Sequence, residues 1–177
     1  MTTALTHTQI TPAGAFTTIT ADDELTVLAA GWTADTAQLL PQVHSTLRPT
    51  LLRVAELKDI DQAVGAYHSG DLDVVNSFAV HQESGPFMMH AWKVLRMVPA
   101  GAPITYSEYA SRSGRPLAIR AAATACARNA AALFVPCHRV LRLDGSLGGF
   151  RWSLPVKQWL LDHESQRVAD TSVAGKG

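Results

Sequence analysis

Cysteine is scarce in this chain of 177 residues: Cys126 and Cys137 are its two thiols, and the N-terminal half has none. The two cysteines do not have the CxxC spacing of a metal-ligand pair, and a chain with so few thiols is not a disulfide-rich scaffold. We therefore expect a reduced, cytoplasmic protein without a structural disulfide and without a metal site.

Long apolar runs are also missing. No stretch is long and apolar enough to span a membrane, and residues 1–11 lack the charged start and apolar centre of a secretory signal. We therefore expect no interaction with a membrane. Hydrophobic residues nevertheless make up 47% of the chain, which is enough for a core in one domain or in one domain with a smaller appendage.

Acidic residues are almost absent between Tyr109 and Trp152, where Asp144 is the one acid. The formal net charge of the whole chain is zero, so the residues outside this segment carry a net negative charge. Arginine favours forked contacts to phosphate or base edges, which indicates a site for a polyanion; a solvated basic face is the alternative. The segment contains seven arginines: Arg112, Arg115, Arg120, Arg128, Arg139, Arg142 and Arg151.

The sequence of residues 1–82 predicts a small α/β domain with an antiparallel sheet and helices. Two β-prone runs, 16–20 and 25–30, surround an acidic turn and predict a hairpin. Residues 34–47 and 60–67 carry apolar side chains at helical spacing. We expect residues 1–10 to form a loose tail.

Residues 83–168 predict a mostly α-helical second domain with a helix-turn-helix, followed by a disordered tail at 169–177. An amphipathic helix is expected at 87–98. A capping box at 105–108 begins a short helix, and a second helix follows at 117–128. The second helix is rich in alanine, which suits either a close approach to a DNA groove or tight packing inside the protein.

Cys137 and His138 follow an apolar run at 130–135, which predicts a buried strand or a hydrophobic lead-in that presents the thiol to a pocket. Pro136 restricts the backbone just before the thiol. A positioned histidine can take the thiol proton and so raise the thiolate fraction. The alternative is that Cys137 is a small hydrophobic residue of the core.

A last helix is expected after Ser153. On this helix, Glu164 lies in line with the apolar residues Val156 and Leu160. An unpaired buried carboxylate is costly, so this side chain needs a partner. We expect that partner to be His138.

The motif 136–140, Pro-Cys-His-Arg-Val, resembles the active-site signature of the O6-alkylguanine-DNA alkyltransferases, or methylated-DNA–protein-cysteine methyltransferases. The spacing of Asn129, Arg120, Tyr106 and Glu164 from this motif is similar to the family's layout. The resemblance is strong over residues 86–164 and loose in the first domain. It does not imply a structural zinc here, because the N-terminal half has no cysteine.

The resemblance implies that Cys137 is the acceptor nucleophile and that His138 deprotonates it through a water molecule. Glu164 would orient the imidazole, and Asn129 would brace the turn that carries the thiol. The carbonyls of Cys137 and Val140 would recognise guanine. Two further residues, Phe150 and Arg151, would line the same base site.

The resemblance also implies contacts to DNA from Tyr106, Arg120, Ala121 and Arg128. The damaged nucleotide would rotate out of the duplex through the minor groove, with Tyr106 pressing on the phosphate and Arg120 filling the vacated stack. Phe150 replaces a tyrosine that many relatives have at this position.

The implied function is DNA repair, in which an alkyl group moves irreversibly from O6 of guanine, or O4 of thymine, in double-stranded DNA to Cys137. The protein would act once, as a monomer and without a cofactor. Three alternatives are a lesion-flagging protein, a DNA-binding regulator and a cysteine hydrolase. The lesion-flagging relatives lack the cysteine, and we expect no additional domain that would serve a transcriptional regulator. A cysteine hydrolase would turn over repeatedly.

Overall fold

The computed structural model describes residues 1–175, and its first half contains a four-stranded sheet in the order β3-β2-β1-β4. The pairs β1/β2 and β2/β3 are antiparallel, but β1/β4 is parallel, so the sheet is mixed where an antiparallel one was predicted. The fold class is otherwise confirmed. The strands are β1 (Thr3–Thr11), β2 (Gly14–Ala21), β3 (Val27–Gly31) and β4 (Leu51–Val54).

The loose tail expected at residues 1–10 is wrong, because β1 is a central strand with a partner on each side. Its sequence is polar but rich in threonine, and β-branched side chains suit a pleated surface. Ala4, Leu5 and Thr6 are buried. The polarity of this segment therefore reflects a hydrogen-bonded strand and not disorder.

The helix expected at 34–47 is also wrong. Two 3₁₀ turns, Thr36–Gln38 and Leu40–Gln42, take its place, and Pro41 removes a backbone donor within the second. The helix expected at 60–67 is confirmed as α1 (Lys58–Ser69), which ends at Gly70 with a positive φ of 118°.

The second half is mostly helical, as predicted. Thr105 Oγ1 accepts a hydrogen bond from the Glu108 N–H at 3.1 Å, but the Glu108 carboxylate pairs with Arg112, so half of the expected capping box forms. The helices are α2 (Pro86–Arg96), α3 (Tyr106–Arg112), α4 (Ile119–Ala127) and α5 (Leu154–Ala174), and two short parallel strands are β5 (Ile104–Thr105) and β6 (Val140–Leu141).

The disordered tail expected at 169–177 is wrong as far as residue 174, because α5 continues to Ala174. Residues 176–177 lie outside the described part of the chain. Within residues 1–175, none of the helices combines the length and apolar character needed to cross a membrane.

The hydrophobic core draws on residues from both sides of position 82. Residues 130–135 are buried, but they form a lead-in and not a strand. This lead-in lies against β3, where the Ala30 N–H donates to the Ala130 carbonyl at 2.8 Å and the Ala132 N–H donates to the Ala30 carbonyl at 3.0 Å. The domain boundary at residue 82 stays a prediction.

Candidate active site

Cys137 begins a short 3₁₀ turn, Cys137–Arg139, between the buried lead-in and β6. Its exposed fraction is 8%, and it lines a cavity of about 390 Å³, so the thiol faces a pocket as expected. Helices α3 and α4 and the loop before α5 form the rest of the wall. The other lining residues are Tyr106, Ala123, Cys126, Ala127, Asn129, Gly149, Phe150, Arg151 and Trp152.

His138 and Glu164 are both buried, and His138 Nε2 lies 2.7 Å from Glu164 Oε1. The expected pairing is therefore present. A charged carboxylate accepts, so Nε2 carries the proton and Nδ1 keeps a lone pair. Among the described residues, Nδ1 has no hydrogen-bond partner although it is buried. This nitrogen is suited to accept the thiol proton through a water molecule.

Arg139 is a second partner of Glu164 that the sequence reasoning missed. Its Nε and Nη2 atoms approach Oε2 at 3.0 Å and Oε1 at 2.8 Å, and Nη1 donates to the Val98 carbonyl at 2.8 Å. Arg139 is 1% exposed, so it belongs to the interior and not to the basic surface proposed from the arginine-rich segment. The sequence signal that could have indicated this role is the position of Arg139 next to His138 in the motif.

The two members of the His138–Glu164 pair respond differently to burial. Burial alone would raise the pKa of the Glu164 carboxyl, but the charges and hydrogen bonds of His138 and Arg139 outweigh it and hold that pKa well below its usual range. Burial lowers the pKa of His138, although Glu164 opposes this effect. The resting pair at neutral pH is therefore a charged carboxylate and a neutral imidazole.

The thiol itself rests protonated. Burial raises the pKa of Cys137, while Asn129 and the positive charges of Lys157 and Arg151 act in the opposite direction. A thiolate therefore forms only when a base receives the proton at the moment of reaction, and His138 is placed for that role.

Asn129 braces the turn before the thiol. Its Nδ2 donates to the Val135 carbonyl at 2.7 Å, and its Oδ1 accepts from the Ala131 N–H at 3.1 Å. Gln82 lies beside it, donates to Asn129 Oδ1 at 3.0 Å, and accepts from the Ala130 N–H at 2.8 Å. No pattern in the sequence indicated the role of Gln82.

Lys157 on α5 was also missed, because a lysine in the first turns of a helix normally indicates a solvated face. It is buried, and its Nζ donates to the Val140 carbonyl at 2.8 Å and to the carbonyls of Leu147 and Gly149. Burial lowers the pKa of its ammonium group. The Val140 carbonyl, which the resemblance assigned to guanine recognition, therefore already accepts from a buried ammonium group.

Three of the wall residues with expected roles come from α3 and from the loop before α5. Tyr106 begins α3, and burial raises its pKa to about 12. Phe150 and Arg151 line the same cavity, and Arg151 Nη2 donates to the Ala127 carbonyl at 2.8 Å.

Helix α4 has two different faces. Ala122 and Ala125 are buried, and the Ala125 carbonyl accepts from Trp92 Nε1 at 2.9 Å, so one face packs tightly inside the protein. Arg120 and Arg128, near the two ends of the helix, are exposed, and Ala121 is half-buried.

Cys126 is half-buried and lines the same cavity as Cys137. Burial of its sulfur raises the thiol pKa well above its usual range. Within residues 1–175, no three histidine, cysteine, aspartate or glutamate side chains are grouped so that they could hold a metal ion.

Fold and site together define a class of protein in which a helix-turn-helix pair and a histidine-backed cysteine share one cavity. The family model for the 6-O-methylguanine DNA methyltransferase DNA-binding domain matches residues 86–166. A probable methylated-DNA–protein-cysteine methyltransferase of Acanthamoeba polyphaga mimivirus is 34% identical over 116 residues, which cover 66% of this chain and 77% of that protein. The chain belongs to the methylated-DNA–protein-cysteine methyltransferase family.

Other similarities differ in how much of each relative they cover. The regulatory protein ada of Salmonella typhimurium is 37% identical over 108 residues, which cover 61% of this chain but 30% of that protein. Mycobacterium tuberculosis OGT, solved in complex with DNA, is 25% identical with a TM-score of 0.75 and covers 92% of this chain and 94% of its own. The fold is therefore shared almost throughout, whereas the match spans less than a third of the ada protein.

Proposed function

We propose that this protein transfers an alkyl group from O6 of guanine in double-stranded DNA to the sulfur of Cys137. The observation that carries the proposal is a thiol in the wall of a cavity of about 390 Å³, backed by the buried His138–Glu164 pair. A cavity of this size suits a single flat base, and Tyr106 and Phe150 give it aromatic walls.

In the proposed reaction, the thiol proton moves through a water molecule to His138 Nδ1, and Glu164 stabilises the imidazolium that results. The Cys137 thiolate attacks the alkyl carbon, a sulfur–carbon bond forms, and the carbon–O6 bond breaks. Its electron pair stays on the guanine, which leaves as the normal base after it takes up one proton. The proton lost by the thiol therefore balances the proton gained by the base.

The alkylated atom lies inside the duplex, so the nucleotide must rotate out before it reaches Cys137. The exposed Arg120 would fill the vacated stack, and Tyr106, which lines the cavity, would act on the phosphate. A relative solved with DNA supports DNA as the partner. The same reaction extends to O4 of thymine, because that atom is also an alkylated carbonyl oxygen of a base.

The product is a thioether, and a cavity residue that would remove the alkyl group is not apparent among residues 1–175. We infer that each molecule reacts once, as a monomer and without a cofactor. The single turnover distinguishes this protein from a cysteine hydrolase, which would release the group to water and react again.

The test is a titration of the protein with duplex DNA that carries a labelled methyl group on guanine O6. We expect one label per protein molecule, on the peptide that contains Cys137, and none on the Cys137→Ala variant although that variant still binds DNA. The Cys126→Ala variant is the matched control and should accept the label. Label on Cys126, or a yield well above one per molecule, would overturn the proposal.

A further inference from the structure

We propose that Tyr67, in the N-terminal half of the chain, is a positioning residue for alkyl transfer that sets how the Glu164 carboxylate meets His138. This inference rests on the proposed function. Tyr67 is completely buried on α1, and its hydroxyl donates to Glu164 Oε1 at 2.7 Å across a separation of 97 residues.

Two consecutive residues of α5 hold Tyr67 in place. Glu164 accepts from the hydroxyl, and the neighbouring His163 Nε2 donates to the Tyr67 backbone carbonyl at 2.8 Å. The ring of Tyr67 lies 5.6 Å from the ring of His163 and 5.1 Å from that of His68, both edge-on. The hydroxyl is therefore fixed against the carboxylate by its backbone and by its ring.

Three hydrogen-bond donors share one oxygen of Glu164, Oε1. It accepts from Tyr67 Oη at 2.7 Å, from His138 Nε2 at 2.7 Å and from Arg139 Nη2 at 2.8 Å. Donors on one oxygen compete for the same electron density, so each weakens the bond that the others make. Removal of the tyrosine donor should strengthen the His138 contact and favour the imidazolium.

Tyr67 acts as a donor and not as a base. Burial, together with the charge of Glu164, raises the pKa of its hydroxyl well above the usual range, so the proton stays on the oxygen. The other charged or titratable groups near this carboxylate lie on three elements: His68 on α1, His138 and Arg139 in the turn of Cys137, and Lys157 and His163 on α5. A change of Tyr67 to phenylalanine keeps all of them and keeps the ring.

The experiment compares Tyr67→Phe with Tyr109→Phe. Tyr109 is the matched control, because it is also completely buried and its hydroxyl donates to the Ala91 carbonyl at 2.7 Å, away from Glu164. The reaction is followed with the free base O6-benzylguanine, so that DNA binding does not enter. Rate constants from single-turnover traces are independent of the folded fraction, since the end-point counts the active molecules.

For wild type we expect the rate to fall on the acid side as His138 becomes protonated. In Tyr67→Phe the midpoint of that fall should move up by about half a pH unit or more, because the imidazolium is favoured. Tyr109→Phe should keep the wild-type midpoint. The same midpoint in both variants would overturn the positioning role and leave Tyr67 as a core residue.

A titration of the His138 ring by NMR in the resting protein provides a second readout that needs no alkyl transfer. An upward shift of its midpoint in Tyr67→Phe supports the inference, and an unchanged midpoint contradicts it. If wild type reacts with no alkylated base, the proposed function fails separately, while this titration still decides whether Tyr67 acts on His138.

Discussion

Glu164 has three partners on two separate stretches of chain: Tyr67 on α1, and the consecutive residues His138 and Arg139. A buried carboxylate that lost these donors would be strongly destabilising, because its charge would have no compensation. The forked contact with Arg139 keeps Glu164 ionised, and an ionised Glu164 keeps the proton of His138 on Nε2. The orientation of the His138 ring therefore depends on an arginine that does not line the cavity.

The buried histidines give the stability of the protein a pH dependence. Burial lowers the pKa of both His138 and His68 from 6.5, so the folded state resists their protonation. The contribution of such a histidine to the free energy of unfolding is fully present above about pH 6.5, the usual pKa of histidine in an unfolded chain. It is lost as the pH falls toward the lower pKa that the histidine has in the folded state. Glu164, whose pKa is also lowered, acts in the same direction at lower pH.

We therefore expect the free energy of unfolding, measured with urea, to fall as the pH is lowered from about 7 to about 5. His138→Asn should show a weaker fall, with His68 supplying what is left. His90→Asn is the control, because His90 is exposed on α2, and it should follow wild type. A fall as steep in His138→Asn as in wild type would contradict this account.

Helix α4 has a packing face and an exposed face. Its alanine content allowed two uses, tight packing inside the protein or close approach to DNA, and the structure shows the packing. The buried alanines hold the helix against α2, where Trp92 reaches the Ala125 carbonyl. Arg120 projects from the other side as an exposed cation. The small side chains of this helix therefore allow close packing against α2.

Arg120→Ala should slow repair of duplex DNA by about tenfold or more, because extrusion of a base costs a few kcal/mol and each 1.4 kcal/mol is about tenfold in rate. Reaction with free O6-benzylguanine should change less than about twofold, since no base has to leave a stack. Single-turnover rates on both substrates provide the measurement.

The control for this helix is Arg53→Ala, which removes an exposed arginine on β4, far along the chain from the cavity residues. It should leave both rates near the wild-type values. Equal losses on duplex and free base in Arg120→Ala would show that Arg120 supports the cavity and not the extrusion of the base.

The two halves of the chain meet at the segment that leads to the thiol. Ala30 on β3 exchanges backbone hydrogen bonds with Ala130 and Ala132, and Gln82 binds both Asn129 and the Ala130 N–H. These contacts hold the lead-in from the N-terminal side, so the position of Cys137 depends on residues far away in the sequence.

Gln82→Ala should lower the melting temperature. It leaves the Ala130 N–H and one bond of Asn129 unsatisfied, which costs about 1 to 2 kcal/mol, equivalent to roughly 2 to 8 °C for a chain of this length. The rate with free O6-benzylguanine should fall as well, because the brace of the thiol turn loosens.

Gln158→Ala is the matched control, because Gln158 is exposed and its amide binds Asp162 on the same helix. Its melting temperature and rate should stay near wild type, as for most surface substitutions. If Gln82→Ala behaves in the same way, the contact between the two halves does not support the site.

Much of the secondary structure could be predicted from local sequence patterns. Helices α1 to α5 follow from apolar spacing and from the Thr105 cap, which are local properties. The pairing of His138 with Glu164 was also predictable, because an acid on an apolar stripe requires a partner. Strand β1 was not, since its polar threonines show their β-preference only when two neighbouring strands satisfy the backbone.

The sequence thus determines which residues are proposed to carry the chemistry: a cysteine next to a histidine, and an acid that must be paired. Their surroundings come from tertiary structure alone. Tyr67, Gln82 and Lys157 carry no local signal, because each acts on atoms in segments that the chain reaches only after folding. Burial then shifts the pKa values of the thiol and the imidazole, and burial is a property of the packed molecule that no short stretch of sequence contains.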